Sequence, residues 1–253
     1  MNSKKISNYQ FENDFLYCES FIKGFVKKNF QEFDEIAKEI GLTKKIDDLI
    51  SGKIVNNTEN QSALHPKYRS FDENIKISEN LIDAEVKASK FFNSRWNECK
   101  NNGHKSINIV TLGIGGSFEG PKLLLESLND PISSGVLCSD EVSYKFITGS
   151  DPNEFDQETR LLKPANTYFI VSSKSFTTDE TIENLKKAFE WSGNKSNFIA
   201  ITANPNEVKK FGIKDVIFFD EEIGGRYSIW SPVTQFHLYG EKRKSFLKGC
   251  LLY

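Results

Sequence analysis

The 253-residue chain is short of the residues on which metal and redox sites are built. It has three histidines, His65, His104 and His237, and they do not cluster. It has four cysteines, Cys18, Cys99, Cys138 and Cys250, none spaced as a CxxC pair. Zinc ribbons and thiol–disulfide motifs are excluded on spacing, and four reduced thiols are expected. Charge of one sign is also missing. Lysine plus arginine total 33 against 35 acidic residues, a net charge of −2. A nearly neutral chain is not built around a nucleic-acid backbone, which favours a concentrated basic face. No run approaches the length of apolar residues that a membrane span needs. The first fifteen residues carry two lysines with no signal-peptide core behind them, so a cytoplasmic protein is expected. Arginine is scarce, five against 28 lysines, which makes each arginine worth inspecting.

What is present is a globular composition, 38% apolar and 13% aromatic, enough to bury a sizeable core. The first hundred residues read as helical. Apolar positions from Phe15 to Val26 predict a helix over Asn13–Lys28. Phe30 to Ile40 predict a second, ended by Gly41, and Ile46, Leu49 and Ile50 suggest a third. Lys53–Arg69 is polar, and Pro66 prevents a regular helix there. A long helix is expected from Asp72 to Lys100, stopped by Asn101, Asn102 and Gly103. Its candidate core contacts are Ile75, Ile77, Leu81, Ile82, Val86, Phe91, Phe92 and Trp96.

At Ile107 the texture changes. Short apolar runs at Ile107–Leu112, Tyr144–Thr148, Tyr168–Ser172, Phe198–Thr202 and Val216–Phe219 alternate with helical stretches. Most are apolar on consecutive positions, which means burial on both faces, as in a parallel sheet covered by helices. The helical candidates between them are Glu119–Leu128, Asp156–Leu162, Asp179–Trp191 and Asn206–Phe211. The fold class expected is α/β, a doubly wound parallel sheet preceded by a helical region. Ligands of such sheets bind where strands run into helices. The expected organisation is an N-terminal helical region over 1–104, an α/β domain over 105–240 and a tail over 241–253.

Three loops after strands carry chemistry. Gly113, Gly115 and Gly116 allow a tight turn and close backbone approach, and Ser117 stands near a helix start. Its hydroxyl and the free amides of the first turn would form an anion site. Phe118 stands where a GxGxxG fingerprint needs glycine, and no GK[ST] run follows, so both nucleotide motifs are weak here. The competing reading is a plain strand–helix turn. The second loop holds Ser172, Ser173, Ser175, Thr177 and Thr178, five hydroxyls in seven residues, with Lys174 among them. Helix capping would use one or two of these; a cradle for a phosphate monoester would use more. The third loop holds Gly224, Gly225 and Arg226. The arginine can stabilise an oxyanion; its competing role is an ion pair with Asp220, Glu221 or Glu222.

Together these loops resemble the glucose-6-phosphate isomerase family. Gly113–Pro121 is similar to its GIGGSxxGP segment, and Ser173–Thr178 (SKSFTT) to its SKTFTT loop. Asp179–Asn184 is similar to the QETxxN continuation, Gly224–Ser231 (GGRYSIWS) to its signature, and Asn57–His65 to NxTENRxxLH. The matches keep their order over residues 55–235. The resemblance implies a five-stranded, flavodoxin-like sheet of the sugar-isomerase (SIS) type. It implies interconversion of glucose 6-phosphate and fructose 6-phosphate, with no metal or organic cofactor required. It implies substrate phosphate held by Gly116, Ser117, Ser173, Lys174, Ser175 and Thr178, with Gly225 in the substrate loop. Arg226 would lie near the C1 and C2 oxygens to stabilise an enediolate. Ser175 stands where threonine is usual, keeping the hydroxyl, and Gln61 where arginine is common. The family is implied to act as a homodimer. Its catalytic glutamate, ring-opening histidine and a C-terminal lysine belong to a second lobe, so this chain is expected to be an incomplete form, weakly active or inactive. The alternative is a non-catalytic phosphosugar-binding module.

Overall fold

A computed structural model describes residues 9–12, 17–22, 25, 27–69, 76–128, 142–149 and 151–235. Ile75, His237, Cys138, Cys250 and the tail over 241–253 lie outside the described residues, as does the side chain of Ile77. The chain divides into two compact units, residues 1–60 and 61–253. The sequence placed the boundary later, at 104/105, because helical texture persists to Asn101.

In the first unit the helix expected over Asn13–Lys28 is not formed. Tyr9–Glu12 pairs antiparallel with Tyr17–Ser20, with Phe11 opposite Cys18. The aromatic residues Tyr9, Phe11 and Tyr17 alternate with polar ones, a period that suits a pleated ribbon better than a helix. Helix α1 starts at Lys27 and runs to Glu39. Gly41, at φ 64°, separates it from α2, Leu42–Ile50. The rings of Phe25, Phe30 and Phe33 cluster, with centroids 5.3–6.2 Å apart. Ile36 on α1, Ile40 just past its end, and Ile46 and Ile50 on α2 remain exposed.

The first α-helix described in the second unit is α3, Lys76–Asn101, ended by Gly103 at φ 77°. Five parallel strands follow: β1 Ile107–Leu112, β2 Val142–Ile147, β3 Thr167–Ser172, β4 Phe198–Thr202 and β5 Asp215–Phe218. Their spatial order is β2-β1-β3-β4-β5. The expected fold class is the observed one. All residues of β1, β3 and β4 are buried, whereas the edge strands β2 and β5 are partly open. That accounts for the unbroken apolar runs at the centre of the sheet. One face, with Ile109, Tyr168, Ile170 and Ile201, packs on Ala84, Phe91 and Cys99 of α3. The other, with Val110, Phe169, Val171 and Phe198, packs on Leu185 and Ala188 of the helix Asp179–Ser192. Ile82 and Val86, expected in the core, are exposed at 61% and 60%. Helix α3 buries a stripe through Ala84, Phe91 and Cys99, and those two residues fall off it.

Among the described residues the remaining α-helices are α4 Gly116–Leu128, α5 Pro152–Thr159, α6 Asp179–Ser192, α7 Pro205–Lys209 and α8 Pro232–Gln235. In this strand order the chain leaves β1 toward β2 and leaves β3 in the opposite direction, toward β4. Right-handed crossovers then put α4 and α6 on opposite faces, and a crevice opens between the carboxyl ends of β1 and β3.

Candidate phosphate-binding site

That crevice is lined by Ile114, Gly116, Ser117, Ser172, Ser173, Lys174, Thr178, Thr181 and Gly225, and its volume is about 160 Å3. Six residues that the family resemblance assigns to the substrate, Gly116, Ser117, Ser173, Lys174, Thr178 and Gly225, meet there. Ser175 lines an adjoining pocket with Lys174, Thr178, Ala203, Asn204 and Glu221.

The turn after β1 is shaped by glycine. Gly115 takes φ 53°, and a Cβ on Gly116 would stand 1.9 Å from the Gly225 carbonyl oxygen. The backbone of the Arg226 loop therefore rests directly on that of the first turn. Ser228 clamps the two, its Oγ donating toward the carbonyls of Gly116 (3.1 Å) and Gly225 (2.8 Å). The amides expected to be free are used internally. Ser117 N donates to Ile114, and those of Phe118 and Glu119 donate to Gly115. This turn supplies the Ser117 hydroxyl and a close-fitting wall, not an array of amides.

The loop after β3 is built differently. Ser173 N donates to Ile201, and the Lys174 carbonyl accepts from Ala203 N and Thr202 Oγ1, which ties the loop to the end of β4. Phe176 holds φ 56° with its ring buried against Phe211. A left-handed bulky residue stores on the order of 1–3 kcal/mol of strain, opposed here by core packing. Ser173 Oγ accepts from Phe176 N at 3.1 Å and lies 3.2 Å from Thr178 Oγ1. Ser175 Oγ accepts from both the amide and the hydroxyl of Thr177. Thr178 is the N-cap residue of α6, yet its side chain makes no cap bond. Capping is thus not what the hydroxyls do. The first intrahelical bond runs from Ile182 N to Thr178 O. The amides of Asp179, Glu180 and Thr181 precede it, the orphan donors of a helix start, with the positive end of the dipole beside the pocket. Ser175 accepts two hydrogen bonds and keeps its own proton to donate.

Arg226 follows Gly225 in the 3-10 helix Gly225–Trp230 and is exposed. Its guanidinium lies 5.9 Å from the centroid of the Tyr227 ring, and that ring stacks on His65 at 4.1 Å. No carboxylate among the described residues forms an ion pair with it. The expected partners are otherwise placed. Asp220 accepts from Tyr68 Oη at 2.8 Å and from Asn80 Nδ2 at 3.2 Å. Burial, with Asp220 beside it, pushes the Tyr68 hydroxyl well above its ordinary pKa. Sequence reasoning missed Tyr68, Asn80 and Thr181. Tyr68 and Asp220 are 152 positions apart, and no local pattern joins them.

Among the described residues no helix is long and apolar enough to cross a membrane. A family model described as Phosphoglucose isomerase matches residues 20–250. Curated relatives named glucose-6-phosphate isomerase include one from Legionella pneumophila, 37% identical over 213 residues, covering 79% of this chain and 41% of the relative. Another, from Bartonella quintana, is 30% identical and covers 98% of this chain and 47% of the relative. The chain spans less than half the length of these relatives. A crystal structure of a glucose-6-phosphate isomerase from Chlamydia trachomatis superposes with a TM-score of 0.72 over 91% of this chain and 46% of that one. At 21% identity that likeness speaks for the fold.

Proposed function

Because the chain belongs to the phosphoglucose isomerase family, we propose that it carries the phosphate-holding part of an aldose–ketose isomerase. The substrates are glucose 6-phosphate and fructose 6-phosphate. The observation that supports this most is the meeting of hydroxyls, Lys174 and an uncapped helix start in one crevice at the sheet's switch point.

In this reading Ser117, Ser173, Ser175 and Thr178 donate to the phosphate oxygens. Lys174 and the start of α6 balance the negative charge. Each hydrogen bond to the charged group contributes about 1.5–3 kcal/mol. Anchoring the phosphate orients the reacting end of the sugar at a distance from it. The reaction moves a proton from C2 to C1 through a cis-enediol. It needs a base at that proton and positive charge at the developing oxyanion. Arg226 supplies the charge: it is exposed, has no carboxylate partner among the described residues, and sits one residue from the pocket wall. Among the described residues no carboxylate lines the crevice itself. The chain by itself therefore binds the sugar phosphate with little or no turnover, and the homodimer and cytoplasmic setting belong to the same proposal.

Calorimetry with fructose 6-phosphate on the wild type and on a Ser173→Ala/Thr178→Ala variant tests the reading. The variant is expected to bind at least tenfold more weakly, the equivalent of about 1.4 kcal/mol. Equal binding by the two proteins removes the phosphate assignment. A coupled isomerase assay on the same wild-type protein checks the second part, and full turnover by this chain alone contradicts it.

A further inference from the structure

Two hydroxyls in the crevice stand outside the residues that the family resemblance assigns to the phosphate. Ser172, the last residue of β3, is 1% exposed, and Thr181, the third residue of α6, is 2% exposed. Neither Ser172 Oγ nor Thr181 Oγ1 has a hydrogen-bond partner. Both line the same crevice. Buried hydroxyls without partners are rare because desolvation is left uncompensated. Two of them in the wall of one small pocket, one beside a helix start that presents free amides, is an arrangement made for an acceptor with several lone pairs.

We propose that Ser172 and Thr181 are phosphate-binding residues, an inner pair of donors that holds oxygens of a phosphate monoester beneath the Ser173–Thr178 loop. The assignment deepens the reading of the crevice as a phosphate site and rests on it. Ser172 closes the β3 side of the pocket. Its carbonyl oxygen lies 2.8 Å, and its Cβ 3.5 Å, from where a Cβ on Gly113 would stand. Thr181 brings a hydroxyl to the amide-rich first turn of α6. The hydroxyls of Ser173, Ser175 and Thr178 have two roles: they face the ligand and, with that of Thr177, are bonded within the loop and hold its shape. Those of Ser172 and Thr181 hold nothing in the chain and are left for the ligand.

This predicts opposite effects on stability and binding, which a structural role would not produce. The test uses the full chain, with inorganic phosphate and fructose 6-phosphate as probes, and compares Ser172→Ala, Thr181→Val, Thr181→Ser and Ser173→Ala by thermal unfolding and calorimetry. Ser172→Ala and Thr181→Val are expected to unfold at or above the wild-type temperature, since each deletes an unpartnered buried hydroxyl. Each is expected to weaken both probes by about tenfold, and Thr181→Ser to restore affinity. Wild-type affinity in Ser172→Ala and Thr181→Val, with weakened binding in Ser173→Ala, overturns the assignment while leaving the phosphate site in place. Wild-type affinity in all the variants means the crevice is not a phosphate site at all. A lowered unfolding temperature in Ser172→Ala and Thr181→Val gives the hydroxyls a structural role and also overturns it.

Discussion

The turn after β1 and the loop after β3 face one another across the crevice, and their donors are arranged in opposite ways. In the first, the amides of Ser117, Phe118 and Glu119 bond back to Ile114 and Gly115, and the turn contributes shape. In the second, hydroxyls shape the loop while the start of α6 keeps its amides. Both segments are strand-to-helix connections rich in small residues. Glycine lets the backbone close on itself and on Gly225; serine and threonine hold the backbone open by substituting side-chain bonds for main-chain ones. One side of the site is therefore a wall and the other a set of donors.

The wall is the place to break this contrast most severely. Gly116→Ala puts a Cβ 1.9 Å from the Gly225 carbonyl oxygen, backbone against backbone, so the two loops must separate. A loss of about 3 kcal/mol in denaturant unfolding is expected, and fructose 6-phosphate affinity should fall with it. A variant of wild-type stability would show that the contact is not close in solution.

The third loop is held from beneath by Tyr68, which donates to Asp220 and accepts from its amide. Tyr68→Phe should cost about 1.5–3 kcal/mol, the range for a hydrogen bond to a charged group. The effect depends on pH. Burial raises the Tyr68 pKa in the folded state above its ordinary 10.0. The folded chain thus keeps a proton that the unfolded chain loses. The stabilisation is complete below pH 10.0 and drains away as pH rises past it. Tyr168 is raised as well, by burial; the difference between wild type and Tyr68→Phe isolates Tyr68. Unfolding curves at about pH 9 and about pH 11 should show the wild type losing more stability than the variant. Equal losses would detach Tyr68 from the effect.

Smaller changes sharpen the comparison between the two facing segments. Ser173→Ala leaves the buried Phe176 amide without its acceptor and should cost about 1–3 kcal/mol of stability. Ser117→Ala should cost less than about 0.5 kcal/mol, as for a substitution that breaks no internal bond, while still weakening ligand binding. Chemical denaturation of both variants decides it. Equal stability losses would erase the distinction between a wall and a donor loop.

Legibility along the chain follows the range of the interactions. The central strands were readable because burial on both faces writes itself into consecutive apolar residues, as in β1, β3 and β4. The loops were readable because glycines and hydroxyls gather just past strand ends, and the family resemblance added the expected roles. The helix expected over Asn13–Lys28 failed because aromatic residues fit both periods over a short window, and pairing with Tyr9–Glu12 favoured the extended form. Ile82 and Val86 were misplaced because a long helix offers more apolar positions than one face can bury.

By itself the sequence determined the α/β class, the position of the strands and the segments that bear the site, since each depends on local composition and periodicity. Only the tertiary structure decided the strand order and the crevice at its switch point. It also decided which amides are used internally, and that Ser172 and Thr181 are buried without partners. The physical reason is that hydrogen-bond satisfaction belongs to pairs of groups. Whether a hydroxyl on β3 or α6 is free depends on what the rest of the fold brings within about 3 Å of it, and no local pattern in the chain records that.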